Sequence, residues 1–90
     1  MKKRKTVQRV QTGLRMEKGI VKVLKGLAEY LEISLGDLLE GIVLHAFDGK
    51  PSPFSEEQLK VIGDLKRVYG LELTASDSHQ LEEGEEEETE

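Results

Sequence analysis

Apolar and polar residues alternate along residues 6–16, TVQRVQTGLRM, and then give way to a spacing of three to four that runs through most of the remaining chain. In the alternating stretch Val10, Thr12, Leu14 and Met16 share one face, while Arg9, Gln11, Gly13 and Arg15 share the other. A period of two with β-branched residues predicts a half-buried strand. Val7 falls on the polar face and Gly13 weakens the pattern. Over residues 17–31 the apolar positions become Ile20, Val23, Leu24, Leu27, Ala28 and Leu31, with Lys18, Lys22, Lys25 and Glu29 opposite, which predicts an amphipathic helix. Glu32, Ile33 and Ser34 break it. Ser34 has the chemistry of an N-cap, and the carboxylate of Asp37 suits the positive end of a second helix over residues 35–47. That helix carries a broad stripe of Leu35, Leu38, Leu39, Ile42, Val43 and Ala46, and Gly49 closes it as a left-handed cap. After a short connector, Ser55 and Gln58 form a capping-box pair for a third helix, with Phe54 placed to staple onto Leu59. Leu59, Ile62, Leu65 and Tyr69 line one face of that helix, and Gly70 ends it.

The pattern divides the chain into four parts: a disordered basic arm (1–5), a strand–helix–helix unit (6–50), a C-terminal helical extension (51–73) and a disordered acidic tail (74–90). The expected fold class is mainly α with one short strand. Both helices of the second part are more apolar than one small chain can cover, so a second copy is expected to cover them.

Charge sharpens this division. Residues 1–50 hold ten Lys and Arg against six Asp and Glu, whereas residues 51–90 hold three against twelve. Within the first 25 residues nine are basic and one, Glu17, is acidic. A cationic front of this kind suits a polyanion, and the Glu-rich end reads as a solvated, self-repelling tail. The tail is also placed to compete with a polyanion for the basic front, because tethered opposite charges meet at high effective concentration. The chain has no cysteine, which excludes disulfides and thiolate metal sites and is compatible with a reducing cytosol. No apolar run approaches the roughly 20 residues that span a bilayer, so no membrane association is expected.

The strand VQTGLRM, the helix GIVKVLKGLAEYL and the Ser-initiated second helix EISLGDLLEGIVLHAF together resemble the ribbon–helix–helix family of DNA-binding repressors, over residues 7–48. The resemblance implies an intertwined homodimer in which the strands of two copies form a two-stranded antiparallel ribbon, here with a third helix appended. It implies a dimer core of Val10, Thr12, Leu14, Met16, Leu24, Leu27, Leu38, Leu39, Ile42 and Val43. The outward residues Arg9, Gln11, Gly13 and Arg15 would face DNA bases in the major groove. Arg can grip guanine O6 and N7 with two donors, and Gln can do the same for adenine N6 and N7. Gly13 departs from the polar residue usual at the ribbon's middle, which leaves Gln11 and Arg15 as the main readers. Phosphate contacts would come from Lys2, Lys3, Arg4 and Lys5 of the arm and from Ser34, Leu35 and Gly36 at the start of the second helix, where free amides favour anions. Asp37 opposes an anion there, and Glu32 stands where relatives commonly have Gly, so a left-handed turn would be mildly strained.

The function expected from this resemblance is sequence-specific binding of double-stranded DNA by a homodimeric transcriptional regulator in the cytoplasm, on the nucleoid when DNA is bound. The alternative is an antitoxin-like or protein-interaction module that holds a protein partner through residues 51–90. An enzyme is not expected, because no nucleophile–base pair or phosphate loop is legible, and neither cofactor nor metal is called for. His45 reads as a packed or solvent-facing residue of the second helix, and His79 falls in the tail without a partner.

Overall fold

The computed structural model describes residues 4–49 and 53–84. Strand β1 (Lys5–Val7) is followed by helices α1 (Lys18–Leu31), α2 (Leu35–Asp48) and α3 (Glu56–Tyr69), a 3-10 turn (Ala75–Asp77) and strand β2 (Leu81–Glu83). The chain is therefore mainly helical, with one short two-stranded sheet.

Each helix boundary follows from local chemistry. Glu17 caps α1 by accepting from the Ile20 amide at 2.8 Å, and Gly19 leaves the space this carboxylate needs, since a Cβ there would lie 3.1 Å from its oxygen. The amides of Gly19 and Ile20 hold the Glu17 carboxyl below its ordinary value. At the other end Glu32 adopts the left-handed conformation (φ 60°), and Ile33 donates back to the Ala28 carbonyl at 3.0 Å in a Schellman closure. The strained left-handed turn expected at Glu32 is present. Ser34 caps α2 by accepting from Asp37 N at 3.1 Å, and Gly49 ends it at φ 72°. The capping box of α3 is complete, with Ser55 and Gln58 each accepting from the other's amide, and Gly70 closes it in the left-handed region.

Helix α2 is the centre of the fold, in contact with α1, α3 and the 3-10 turn. Its Leu38 and Leu44 are buried with Ala28 of α1 and Leu81 of β2. The aromatic pair Phe47 and Phe54, 6.5 Å between centroids, and the Lys66–Asp48 ion pair at 3.2 Å tie α3 to the end of α2. The C-terminal helix thus docks on its own chain.

Two expectations are corrected. The strand expected over residues 6–16 is confined to Lys5–Val7, and it pairs in parallel with Leu81–Glu83 of the same chain rather than antiparallel with a ribbon partner. Residues 8–16 have no regular secondary structure. The reason is that a strand needs an edge to pair with, and among the described residues the edge that β2 offers lies beside residues 5–7. Likewise, residues 75–83 are not a structureless tail. Asp77 accepts from the Thr74 amide at 2.8 Å to close the 3-10 turn, and Leu81 is only 8% exposed. One large apolar residue overrides the acidic composition around it. Residues 85–90 lie outside the described residues.

Candidate nucleic-acid interface

The residues expected to meet DNA lie on β1, on the segment that follows it and at the first turn of α2. Lys5, expected in a disordered arm, instead begins β1. Its amide donates to the Gln80 carbonyl at 3.2 Å and its ammonium pairs with Asp77 at 3.2 Å. Arg4 is exposed, and Lys2 and Lys3 lie outside the described residues.

Arg9 is the most strongly held of the expected base readers. Its Nε and Nη2 donate to the two oxygens of Glu40, both at 2.8 Å, and its Nη1 lies 3.5 Å from Glu83. These carboxylates hold the guanidinium above its ordinary pKa, with Glu40 contributing most and burial opposing. Two parallel N–H groups are what bidentate recognition of guanine requires, and in Arg9 they are committed to α2. In this conformation Arg9 is a tether between the segment and the helix, not an outward reader. Gln11, Gly13 and Arg15 are exposed, and a Cβ at Gly13 would meet nothing within 4 Å. Among the described residues no carboxylate pairs with Arg15.

The opposite face of the same segment is bare. Val10 is 79% and Leu14 68% exposed, Met16 and Thr12 are exposed as well, and no backbone–backbone hydrogen bond joins residues 8–16 to another described residue. Of the remaining positions expected in a dimer core, Leu38 is buried and Leu24 and Leu39 are half-buried, whereas Leu27, Ile42 and Val43 are open to solvent. Ile20 and Val23 of α1 are exposed as well.

At the start of α2, Ser34 and Gly36 are exposed and Leu35 is half-buried. The Ser34 hydroxyl serves as the cap. Asp37, the residue that opposes an anion there, faces Nδ1 of His79 at 3.1 Å. His79, expected to have no partner, therefore has one. Its backbone is left-handed (φ 61°), and its ring lies so close to Gly41 that a Cβ at 41 would be 3.1 Å from it. His45 bonds the Gly41 carbonyl of its own helix at 2.8 Å. Among the described residues no group of three or more His, Cys, Asp or Glu could hold a metal ion, and no helix is long and apolar enough to cross a membrane.

The residues that sequence reasoning missed are the acids that engage this front: Glu40, Asp77 and Glu83. The available signal was Leu81, the one large apolar side chain after Leu73. It marks where the acidic stretch is anchored. No family model, no curated protein and no solved structure matches this chain.

Proposed function

We propose that the chain works as a homodimer that binds double-stranded DNA and regulates transcription as a repressor, in the manner of the ribbon–helix–helix family. Residues 8–16 of two copies would pair antiparallel, extending the chain beyond β1. Val10, Leu14 and Met16 would turn inward onto the open faces of α1 and α2, and Gln11, Gly13 and Arg15 would turn outward into the major groove.

The observation that supports this most is the state of residues 8–16: an alternating apolar face left open beside a backbone with no backbone partner among the described residues. Burying one Val or Leu side chain contributes about 1.5–3 kcal/mol, and a two-fold arrangement would supply each such burial twice while pairing the backbone. Leu27, Ile42 and Val43 are further exposed apolar side chains that a second copy would cover. A two-stranded ribbon fits the width of the major groove.

The test combines mass and selection. The purified protein should have twice the chain mass by light scattering, and selection from a random duplex pool at low salt should enrich one near-palindromic sequence. Affinity for it should fall steeply as salt rises. Arg15→Ala should lose preference for that sequence. A monomer at all concentrations, or a pool that emerges unenriched, removes the reading.

A second reading is favoured by α3, where Val61, Leu65, Val68 and Tyr69 are all exposed. Their spacing suits a helix face that docks a protein partner, as an antitoxin-like extension would. A partner that co-purifies with the full chain and is lost from Val61→Asp and Val68→Asp would support it.

A further inference from the structure

We infer that residues 71–84 form an autoinhibitory latch, in which Leu81 anchors β2 beneath α2 so that Glu83 and Asp77 neutralise the cations that would otherwise meet DNA phosphate or bases. The inference rests on the DNA-binding reading and adds a regulatory element to it.

The anchor is apolar. Leu81 sits at a cavity of about 320 Å³ lined also by Val7, Leu39, Val43, Leu44 and Phe47, so the strand is held by burial and not by charge alone. From that anchor the backbone runs parallel to β1, placing Thr6 against Glu82 and Val7 against Glu83. The pairing is closed at its end by the Gly84 amide, 2.7 Å from the Val7 carbonyl. The fit there is tight: a Cβ on Gly84 would lie 2.6 Å from Thr6 Cγ2.

The electrostatics follow from this register. Asp77 lies 3.2 Å from the Lys5 ammonium, and Glu83 lies 3.5 Å from Arg9 Nη1 on the side that Glu40 leaves open. With Glu40 at Nε and Nη2, all three nitrogens of the Arg9 guanidinium face carboxylate. A phosphate approaching Lys5 meets Asp77, and one approaching Arg9 meets Glu83, and each carboxylate repels it. Because the strand belongs to the same chain, it competes at an effective concentration of the order of millimolar, far above that of a DNA site. DNA therefore binds in exchange for β2, and any event that unpairs β2 and exposes Leu81 raises DNA affinity.

The chain lacks cysteine, so one engineered disulfide can fix the latch without interference. In the full-length Thr6→Cys/Glu82→Cys variant, the two cysteines face each other across the parallel pair. The same molecule, oxidised and reduced, is titrated with duplexes selected from a random pool at low salt, beside the wild type and Glu83→Gln. The oxidised form should bind at least about tenfold more weakly than the reduced form, and Glu83→Gln should bind about two- to fivefold more tightly than wild type, the range expected for one exposed ion pair. Equal affinities of the oxidised and reduced forms, or tighter binding when locked, overturn the latch and leave the DNA reading intact. If neither the wild type, nor the reduced variant, nor Glu83→Gln enriches or retains any duplex, the DNA reading falls and the latch with it.

Discussion

Residues 8–16 and Leu81–Glu83 are both short stretches in which large apolar side chains are set among polar neighbours, yet they end in opposite states. Leu81 is 8% exposed and its strand is paired. Leu14 is 68% exposed and its backbone has no partner among the described residues. The difference is not in intrinsic preference, because the first stretch has the better strand pattern. It lies in what each can reach. Leu81 returns, after the turn at Ala75–Asp77, to the apolar side chains of α2, with Leu39, Val43 and Leu44 lining the same cavity, and to the edge of β1. Residues 8–16 stay exposed on their apolar side, and no backbone–backbone hydrogen bond joins them to another described residue. A segment acquires structure when both its side chains and its backbone find partners, and one without the other is insufficient.

The sharpest way to break this comparison is Leu14→Asp. If a second copy covers residues 8–16, each dimer loses two buried leucines and gains two carboxylates in an apolar seam. Self-association should weaken by at least about a hundredfold, roughly 3 kcal/mol. Sedimentation over a range of concentrations reads this directly, and an unchanged mass distribution would show that the bare face is not a self-association surface.

Leu81→Ala tests the other half. Truncating a buried leucine leaves a cavity and typically costs 2–5 kcal/mol. The strand is short and can detach locally, so the global cost should sit near the lower end, about 2 kcal/mol. Denaturant melts should show that loss independently of protein concentration, whereas Leu14→Ala should shift the midpoint only where dimers are populated. If the two substitutions behave alike, the contrast between the regions is wrong.

A smaller effect sharpens where residues 8–16 attach. Arg9 and Glu40 are linked by two hydrogen bonds of 2.8 Å, but both are about one-third exposed or slightly less (27% and 33%). Solvent screening limits such a pair, so a double-mutant cycle with Arg9→Ala and Glu40→Ala should give a coupling of about 1 kcal/mol. Zero coupling would mean that Arg9 is not the tether.

What was legible in the sequence divides along the same line. The three helices and their ends were readable because caps act locally: Ser34, Ser55, Gly49 and Gly70 each need only a neighbouring turn, and even the unfavourable left-handed turn at Glu32 could be located. Strand pairing was not readable, because register depends on residues more than seventy positions apart, such as Lys5 and Leu81. The alternating pattern marked which face of residues 8–16 wants cover without saying whose surface supplies it. The acidic composition of residues 74–90 concealed that a single leucine anchors part of it. Gln11 and Arg15 are exposed, but so are Val10 and Leu14 of the opposite face; the engagement of Arg9 by Glu40 and Glu83 depends on how α2 and β2 are brought together, and no spacing along the chain encodes that.

The smallest expected effect concerns acid. Asp77 is held below its ordinary value of 3.8 first by the Thr74 amide and then by Lys5, so its ionised form favours the folded limb. A carboxyl whose value is depressed on folding contributes stability that is complete above the unfolded value and is lost as pH falls through the folded one. Glu17, held below 4.5 by the amides at the start of α1, acts in the same direction from a slightly higher pH. Stability should therefore decline as pH falls below about 4.5, and the two groups can be separated. Asp77→Asn should make the decline shallower only in the lower part of that window, where the C-terminal limb is at stake. Glu17→Gln should do so from its upper edge, where α1 is at stake. Urea melts at closely spaced pH values distinguish the two, and a slope unchanged by Asp77→Asn would show that the turn at Ala75–Asp77 does not hold β2 against β1.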